Sequence, residues 1–544
     1  MKNTWFLTGV MLFARVVCGV EVPSASAEKD AAGGKCLIGI VSDTHVGAHS
    51  SGFQFALVKS AYRLFKRIGV DAVINLGDIA NDFREEYYVR YREISRSVFP
   101  EGVDEIFVYH GHDMFMRDPK RGRVNLDKDK AFSDVARLLG DRHGQYAKRV
   151  FAGTPFLSYP LGVDIARIER EIIAAEKEFP SRPVFVLHHV PCSHTSAGSE
   201  HEGDRKLREM LNRHPRAVVL SGHVHGTIAH EGKIWQGEFT AVGFGDFKAR
   251  MLPKGRFCAA VMELSRVKAV IRRYDVESGE ELRPEDPWTL EFPYDPQRPK
   301  YSPAVRVNTT PAPVFPSGAE VSAECDVRAG GLTVTFPAVT NPEWAESYAV
   351  GIARKSGGAS VPFAVQQAGA GEYSLSSENR TKKFKVFFDP AYFKADEEIT
   401  VSVTPNGFWG NRGNTLSVPC QVRGERVGKW RRAFTADDEA KALVLKGKFL
   451  LPEGVITSDR NRRYRVVLEV ESSAAEKEGV GFSIWGQGGG SLIRKHLDAG
   501  PYPRRRYVFV FNGTPRTCRW LSGAGPLGKV KILEYAIDIT EKGE

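Results

Sequence analysis

The sequence predicts an α/β domain followed by two all-β domains, on three observations. Short β-rich runs alternate with amphipathic helical stretches from Lys35 to about Gly279, and such alternation belongs to an α/β sheet covered on both faces. Seven prolines then crowd the stretch from Phe292 to Pro316. Beyond them only short alternating runs separated by Gly, Pro and Asn remain, the pattern of β-sandwiches.

In chain order, residues 1–27 read as a secretory signal: Lys2, an apolar run from Trp5 to Ala14, and Ala25-Ser26-Ala27 as the cleavage site. No later window approaches the ~18 uninterrupted apolar residues of a membrane span, so a secreted, periplasmic or cell-surface protein with no membrane span is expected. The α/β domain takes residues 35–290. Cys36 to Val41, Ala72 to Leu76, Glu105 to Tyr109, Val184 to Leu187 and Ala217 to Leu220 are its strands. Phe53 to Ile68, Glu85 to Val98, Val163 to Phe179 and Asp204 to Arg213 carry helical periodicity. Runs near Phe239 to Val242, Phe257 to Leu264 and Val267 to Tyr274 follow with no helix between them, so one sheet ending in antiparallel strands is expected. Residues 291–318 form a Pro-rich extended linker. Residues 319–423 form a sandwich whose closing stretch, Pro405 to Asn414, resembles the end of fibronectin type III-like domains. Residues 424–544 form a second, jelly-roll-like sandwich.

Composition bounds the function. With 544 residues, 42% hydrophobic and 26% charged, the chain is globular and multi-domain. Residues 421–544 hold 23 Lys+Arg against 15 Asp+Glu, a net +8 of the chain's +10. No nucleic-acid module accompanies that excess, so no nucleic-acid partner is expected; the C-terminal domain is expected to meet an anionic surface polymer. Trp430, Trp485 and Trp520 there suit either sugar stacking or core packing. No C-x-x-C pair is present, which argues against a Cys-based zinc or thioredoxin-like site. Cys325 and Cys420 leave open a bridge or two separate buried thiols.

Each chemically unusual group of the first domain falls where one of its strands ends: Asp43-Thr-His45, Gly77-Asp78, His110-Gly-His-Asp113, His188-His189 and Gly222-His-Val-His225. The carboxyl ends of strands in an open α/β sheet line one crevice, so these groups can converge. Asp and His without Cys suit Mn, Fe or Zn better than Ca or Mg. About seven ligands exceed the four of a single zinc, which implies two divalent or transition metal ions.

This ordered pattern, D-x-H, G-D, a third block, H and G-H-x-H, resembles the calcineurin-like metallophosphoesterases over about residues 36–275. The resemblance implies an α/β sandwich and an exported phosphoric ester hydrolase acting on phosphate mono- or diesters through a metal-bridging hydroxide. Its substrate would be a phosphorylated small molecule or glycan. It places Asp43, His45 and His225 on one metal and His188 and His223 on the other, with Asp78 bridging. His188 is taken over His189, which would hydrogen-bond outward or stand as a substitute ligand. The third block departs from the family's G-N-H-[DE]. Aligned on His112-Asp113, the metal-binding Asn position is Gly111 and His112 is catalytic, with His110 or a water as substitute ligand; aligned on Gly111, His112 is itself the ligand. The alternative function is a catalytically degenerate domain in a surface glycan- or wall-binding protein.

Overall fold

The computed structural model describes residues 34–541 apart from 48–51, 119, 121, 246–255, 327–330, 357–358, 376, 394–395, 425–429, 446–448, 452–454, 457–461, 474–480, 487–490, 497–501, 513–517 and 525–529. The proposed signal, residues 1–27, lies outside the described residues. The chain divides into two compact units, one mainly of residues up to Pro299 and the other mainly from Lys300 onward.

The first unit opens β1 (Cys36–Val41), α1 (Phe53–Ile68), β2 (Ala72–Asn75), α2 (Glu85–Val98) and β3 (Asp104–Phe107), then turns through Gly111–Met114 into a hairpin, β4 (Phe115–Asp118) and β5 (Gly122–Asn125). It continues with α3 (Lys128–Leu139), β6 (Lys148–Phe151), β7 (Thr154–Tyr159), α4 (Ile165–Glu178), β8 (Val184–His188), α5 (Ser199–Glu202), α6 (Arg205–Leu211), β9 (Ala217–Ser221), β10 (Ile234–Gln236) and β11 (Thr240–Gly243). It closes with β12 (Cys258–Leu264), β13 (Lys268–Asp275), β14 (Glu281–Leu282) and β15 (Trp288–Glu291).

These strands form two main sheets, where the alternation of runs by itself predicted one and the family resemblance an α/β sandwich. The first runs β14-β13-β12-β1-β2-β3, with β15 also on β13; the second runs β10-β11-β9-β8-β7-β6. Strands β1, β2 and β3 are mutually parallel, as are β7, β8, β9 and β11. The antiparallel β12 and β13 join the edge of β1 in the first sheet, whereas β11, the first run of the helix-free end, lies parallel to β9 in the second and not antiparallel as expected. Helix α1 buries Phe55, Leu57, Val58, Ala61, Tyr62 and Phe65, a 3.6-residue stripe that shares one core with Tyr88 and Tyr91 of α2 and Phe132 and Val135 of α3. Helices α4 and α6 cover the second sheet through Ile168, Ile172, Leu207, Met210 and Leu211.

In the second unit the expected linker contains a helix, α7 (Pro303–Thr309). Pro303 stands in its first turn, where the missing N–H costs nothing, and the Ser302 hydroxyl caps Val305 N at 3.3 Å. Seven strands follow, from Ser322–Asp326 to Leu416–Arg423, with Leu332, Val334, Phe336, Val401 and Val403 entering one core. Cys325 and Cys420 lie on neighbouring paired strands as free thiols. Two four-stranded sheets complete the chain. Thus an α/β domain is followed by β-sandwich domains. Trp430 is covered by the guanidinium of Arg465, 4.6 Å from its ring; the side chains of Trp485 and Trp520 lie outside the described residues. Arg506 of the basic run is held by Glu469 and Glu534, each at 3.2 Å.

Candidate metal centre

The loops leaving β1, β2, β3, β8 and β9 meet at one point. Three backbone hydrogen bonds zip the first two together: Asp43 N to Gly77 O, His45 N to Asp78 O and Val46 N to Ile79 O, each 3.0 Å. Asp43, His45, Asp78 and His223 all adopt positive φ, at 52°, 39°, 49° and 68°. Such conformations cost on the order of 1 kcal/mol or more in non-glycine residues and persist where the surroundings over-determine them, which is characteristic of functional sites. Two glycines make the approach possible. A Cβ on Gly77 would come 2.7 Å from the His189 ring, and one on Gly222 would come 2.0 Å from Ser42 Oγ and 2.5 Å from Asp43 Oδ2.

The side chains form two sets that share Asp78. Asp78, His110, His189 and His223 offer one donor atom each, all within 4.8 Å of one another; Asp43, His45, Asp78 and His225 do the same. His45 Nε2 and His225 Nε2 face each other at 3.1 Å. Asp43 is fixed by Ser42 Oγ at 2.5 Å and by His223 N at 3.0 Å. His189 donates Nδ1–H to Leu76 O at 2.7 Å, which turns its Nε2 inward to stand 3.3 Å from Asp78 Oδ2. An outer hydrogen bond of this kind selects the tautomer and aim of a metal-binding imidazole.

The placement of the adjacent histidines reverses the expectation. His188, the last residue of β8, bonds through Nδ1 to Val190 O at 2.8 Å and belongs to neither set, while His189 enters. The physical reason is alternation: consecutive residues leaving a strand point to opposite sides, and the shared centre lies on the side of the second. In the third block Gly111 contributes no side chain and His110, one position earlier, fills the place. Its ring stacks on His189, centroids 4.1 Å apart, with Nδ1 at 3.4 Å from Asp78 Oδ1. His112 stands at the rim, side chain 29% exposed, its Nδ1 on Asn81 O at 2.7 Å and its Nε2 4.0 Å from Asp78 Oδ2. The buried Asp113 accepts from Ala80 N at 3.1 Å and Tyr88 OH at 3.0 Å, tying the third block to the second.

Electrostatics separate these groups. Burial opposes ionisation of Asp78, but His189 and His110 outweigh it and hold the carboxyl well below its usual range. Asp43 is likewise lowered, burial being overcome by His189 and His225. Burial would depress His189, yet Asp78 and Asp43 push it up to about 9. His110 goes the other way: burial, then the charge of His189, bring it down to about 3. Asp113 is raised to about 7 by burial and then by Asp78.

The residues fit a pair of divalent ions. His110 Nε2 is buried without a protein hydrogen bond, and His110 Nδ1 and His189 Nε2 reach only the Asp78 carboxylate, at 3.4 and 3.3 Å and without good hydrogen-bond geometry, a costly state that a coordinated cation would relieve. The donors are carboxylate and imidazole alone, the chemistry of Mn, Fe or Zn sites.

Residues 37–227 match the family model of calcineurin-like phosphoesterases, and this segment is a calcineurin-like phosphoesterase domain. No curated protein matches the chain. Similar solved structures include a Thermus thermophilus protein, 14% identical over 47% of this chain and 98% of that one, TM-score 0.28. A purple acid phosphatase from yellow lupin seeds is 12% identical over 47% of this chain and 54% of its own, TM-score 0.33. A predicted phosphoesterase of Streptococcus pneumoniae is 13% identical over 47% and 98%, TM-score 0.24.

Proposed function

We propose that the chain is an exported dinuclear-metal phosphoesterase that hydrolyses phosphate mono- or diesters. The observation that carries this reading is the completeness of both four-donor sets around Asp78 despite Gly111, because His110 supplies the donor that glycine lacks. A degenerate domain would have no reason to keep a buried, unsatisfied imidazole there.

Asp43, His45 and His225 would hold one ion and His110, His189 and His223 the other, with Asp78 shared. Two bound ions neutralise the charge of a phosphate and lower the pKa of a coordinated water. The chain's own part is orientation: Leu76 O aims His189, and Asn81 O holds His112 with its second nitrogen facing the centre. From the rim, His112 can bind a phosphoryl oxygen or pass a proton to the leaving oxygen. Export rests on the signal pattern of residues 1–27, and among the described residues no helix is long and apolar enough to cross a membrane. The C-terminal basic excess would serve docking to an anionic surface polymer.

The test is turnover of p-nitrophenyl phosphate and bis-p-nitrophenyl phosphate by protein reconstituted with Mn, Fe or Zn, alongside metal analysis. Turnover with two ions per chain supports the enzyme; less than one ion and no turnover refute it.

A further inference from the structure

The hairpin β4–β5 begins three residues after His112. The ring of Phe115 at its base lies 5.0 Å from the His112 ring, which in turn lies 4.6 Å from that of His45. Register pairs Phe115 with Asn125 and Arg117 with Arg123. Residues two apart on a strand share a face, so Phe115, Arg117, Arg123 and Asn125 lie on one face of the ribbon, the face whose base packs against His112.

Two arginines directly opposite each other weaken a ribbon through like-charge repulsion, and a lone two-stranded hairpin has little stability to spare. Both side chains are exposed, and among the described residues no carboxylate pairs with either. Among the described residues nothing of opposite charge offsets the repulsion within the pair. Arg123 is nonetheless held in place: its guanidinium lies 4.0 Å from the Phe115 ring centroid, and its Nε donates to Asn125 Oδ1 at 3.3 Å. Neither contact uses its terminal nitrogens, and Arg117 stands directly opposite it across the ribbon. Planar, pre-oriented guanidinium groups match the oxygens of a phosphate.

We propose that Arg117 and Arg123 form an anion subsite for a second phosphate of the substrate. The favoured substrate class is then a phosphoester that carries another phosphate a short linker away from the one being hydrolysed. The inference rests on the phosphoesterase reading above and specifies which esters that centre prefers.

Phosphate release from fructose 1,6-bisphosphate, fructose 1-phosphate and fructose 6-phosphate tests it, using the metal-reconstituted full chain. The wild type is expected to favour the bisphosphate by about tenfold or more in kcat/KM, mainly through KM, the scale of one charge-assisted contact pair. The Arg117→Ala/Arg123→Ala protein should lose that preference, and high salt should erode it in the wild type because the subsite is exposed. Arg117→Ala alone, at an exposed position, keeps the test available if the double substitution fails to fold. An equal kcat/KM for all three esters, or an undiminished preference in the substituted proteins, overturns the subsite alone. Hydrolysis of none of these esters or the p-nitrophenyl esters overturns the phosphoesterase reading and the subsite with it.

Discussion

Replacing His110 by alanine removes one of the four donors that surround the proposed second ion position. The structure sets the scale. The ring is buried, stacked at 4.1 Å on His189, and burial brings its pKa down to about 3, so at neutral pH it is an uncharged donor that needs no proton removed before binding. Losing an outer partner of a ligand typically costs 10- to 100-fold in metal affinity. Losing a donor itself should cost about 100-fold or more, about 2.7 kcal/mol. Titration of the apoprotein with Zn or Mn by calorimetry, with metal analysis after dialysis, should show two ions per wild-type chain and one per His110→Ala chain. The first set, Asp43, His45, Asp78 and His225, keeps its ion. A melting curve checks that the domain remains folded. Two ions held at wild-type affinity by His110→Ala would refute the reasoning. Gly111→Asn gives the complementary check, since a Cβ at Gly111 meets nothing within 4 Å: with His110 in place, the added amide should not tighten the second ion, and a gain above about tenfold would show that His110 is not the donor.

The adjacent histidines should separate cleanly: His189→Ala loses an ion, whereas His188→Ala keeps both and costs about 1–3 kcal/mol of stability from a lost buried hydrogen bond, read by denaturant unfolding. His112→Ala should cut kcat by about 100-fold or more with both ions retained, since its Nε2 faces the centre but belongs to neither donor set. Asp104 is held below its usual range because His143, 2.7 Å away, and Arg149 overcome the effect of burial. A depressed carboxyl adds stability that is complete above about pH 4, its unfolded value, and is lost as pH falls through the folded value, so Asp104→Asn should flatten the acid limb of the melting-temperature profile. An unchanged acid limb would count against that pairing.

Much of this architecture was legible because local periodicity and local environment agree. Helix α1 runs from Phe53 to Ile68 as its apolar stripe predicts, and the five reactive blocks do sit at strand ends. The division into two sheets was legible only through the family resemblance and not from periodicity, because the pairing of β12 with β1 across more than two hundred residues leaves no local trace. His188 and His189 could not be told apart for a similar reason: which of two alternating side chains faces the centre depends on how the sheets meet. His110 was readable only as a substitute, since a one-position shift of a ligand along a turn depends on φ and ψ rather than on spacing. Helix α7 was hidden by its proline, which reads as a breaker unless Ser302 before it is recognised as a cap.

The central claim is a pair of ions sharing Asp78, and anomalous X-ray scattering from a crystal grown with Mn tests it most directly. The account predicts two peaks, both in contact with Asp78, one among His110, His189 and His223 and one among Asp43, His45 and His225. A single peak, a peak on His188, or none would contradict it.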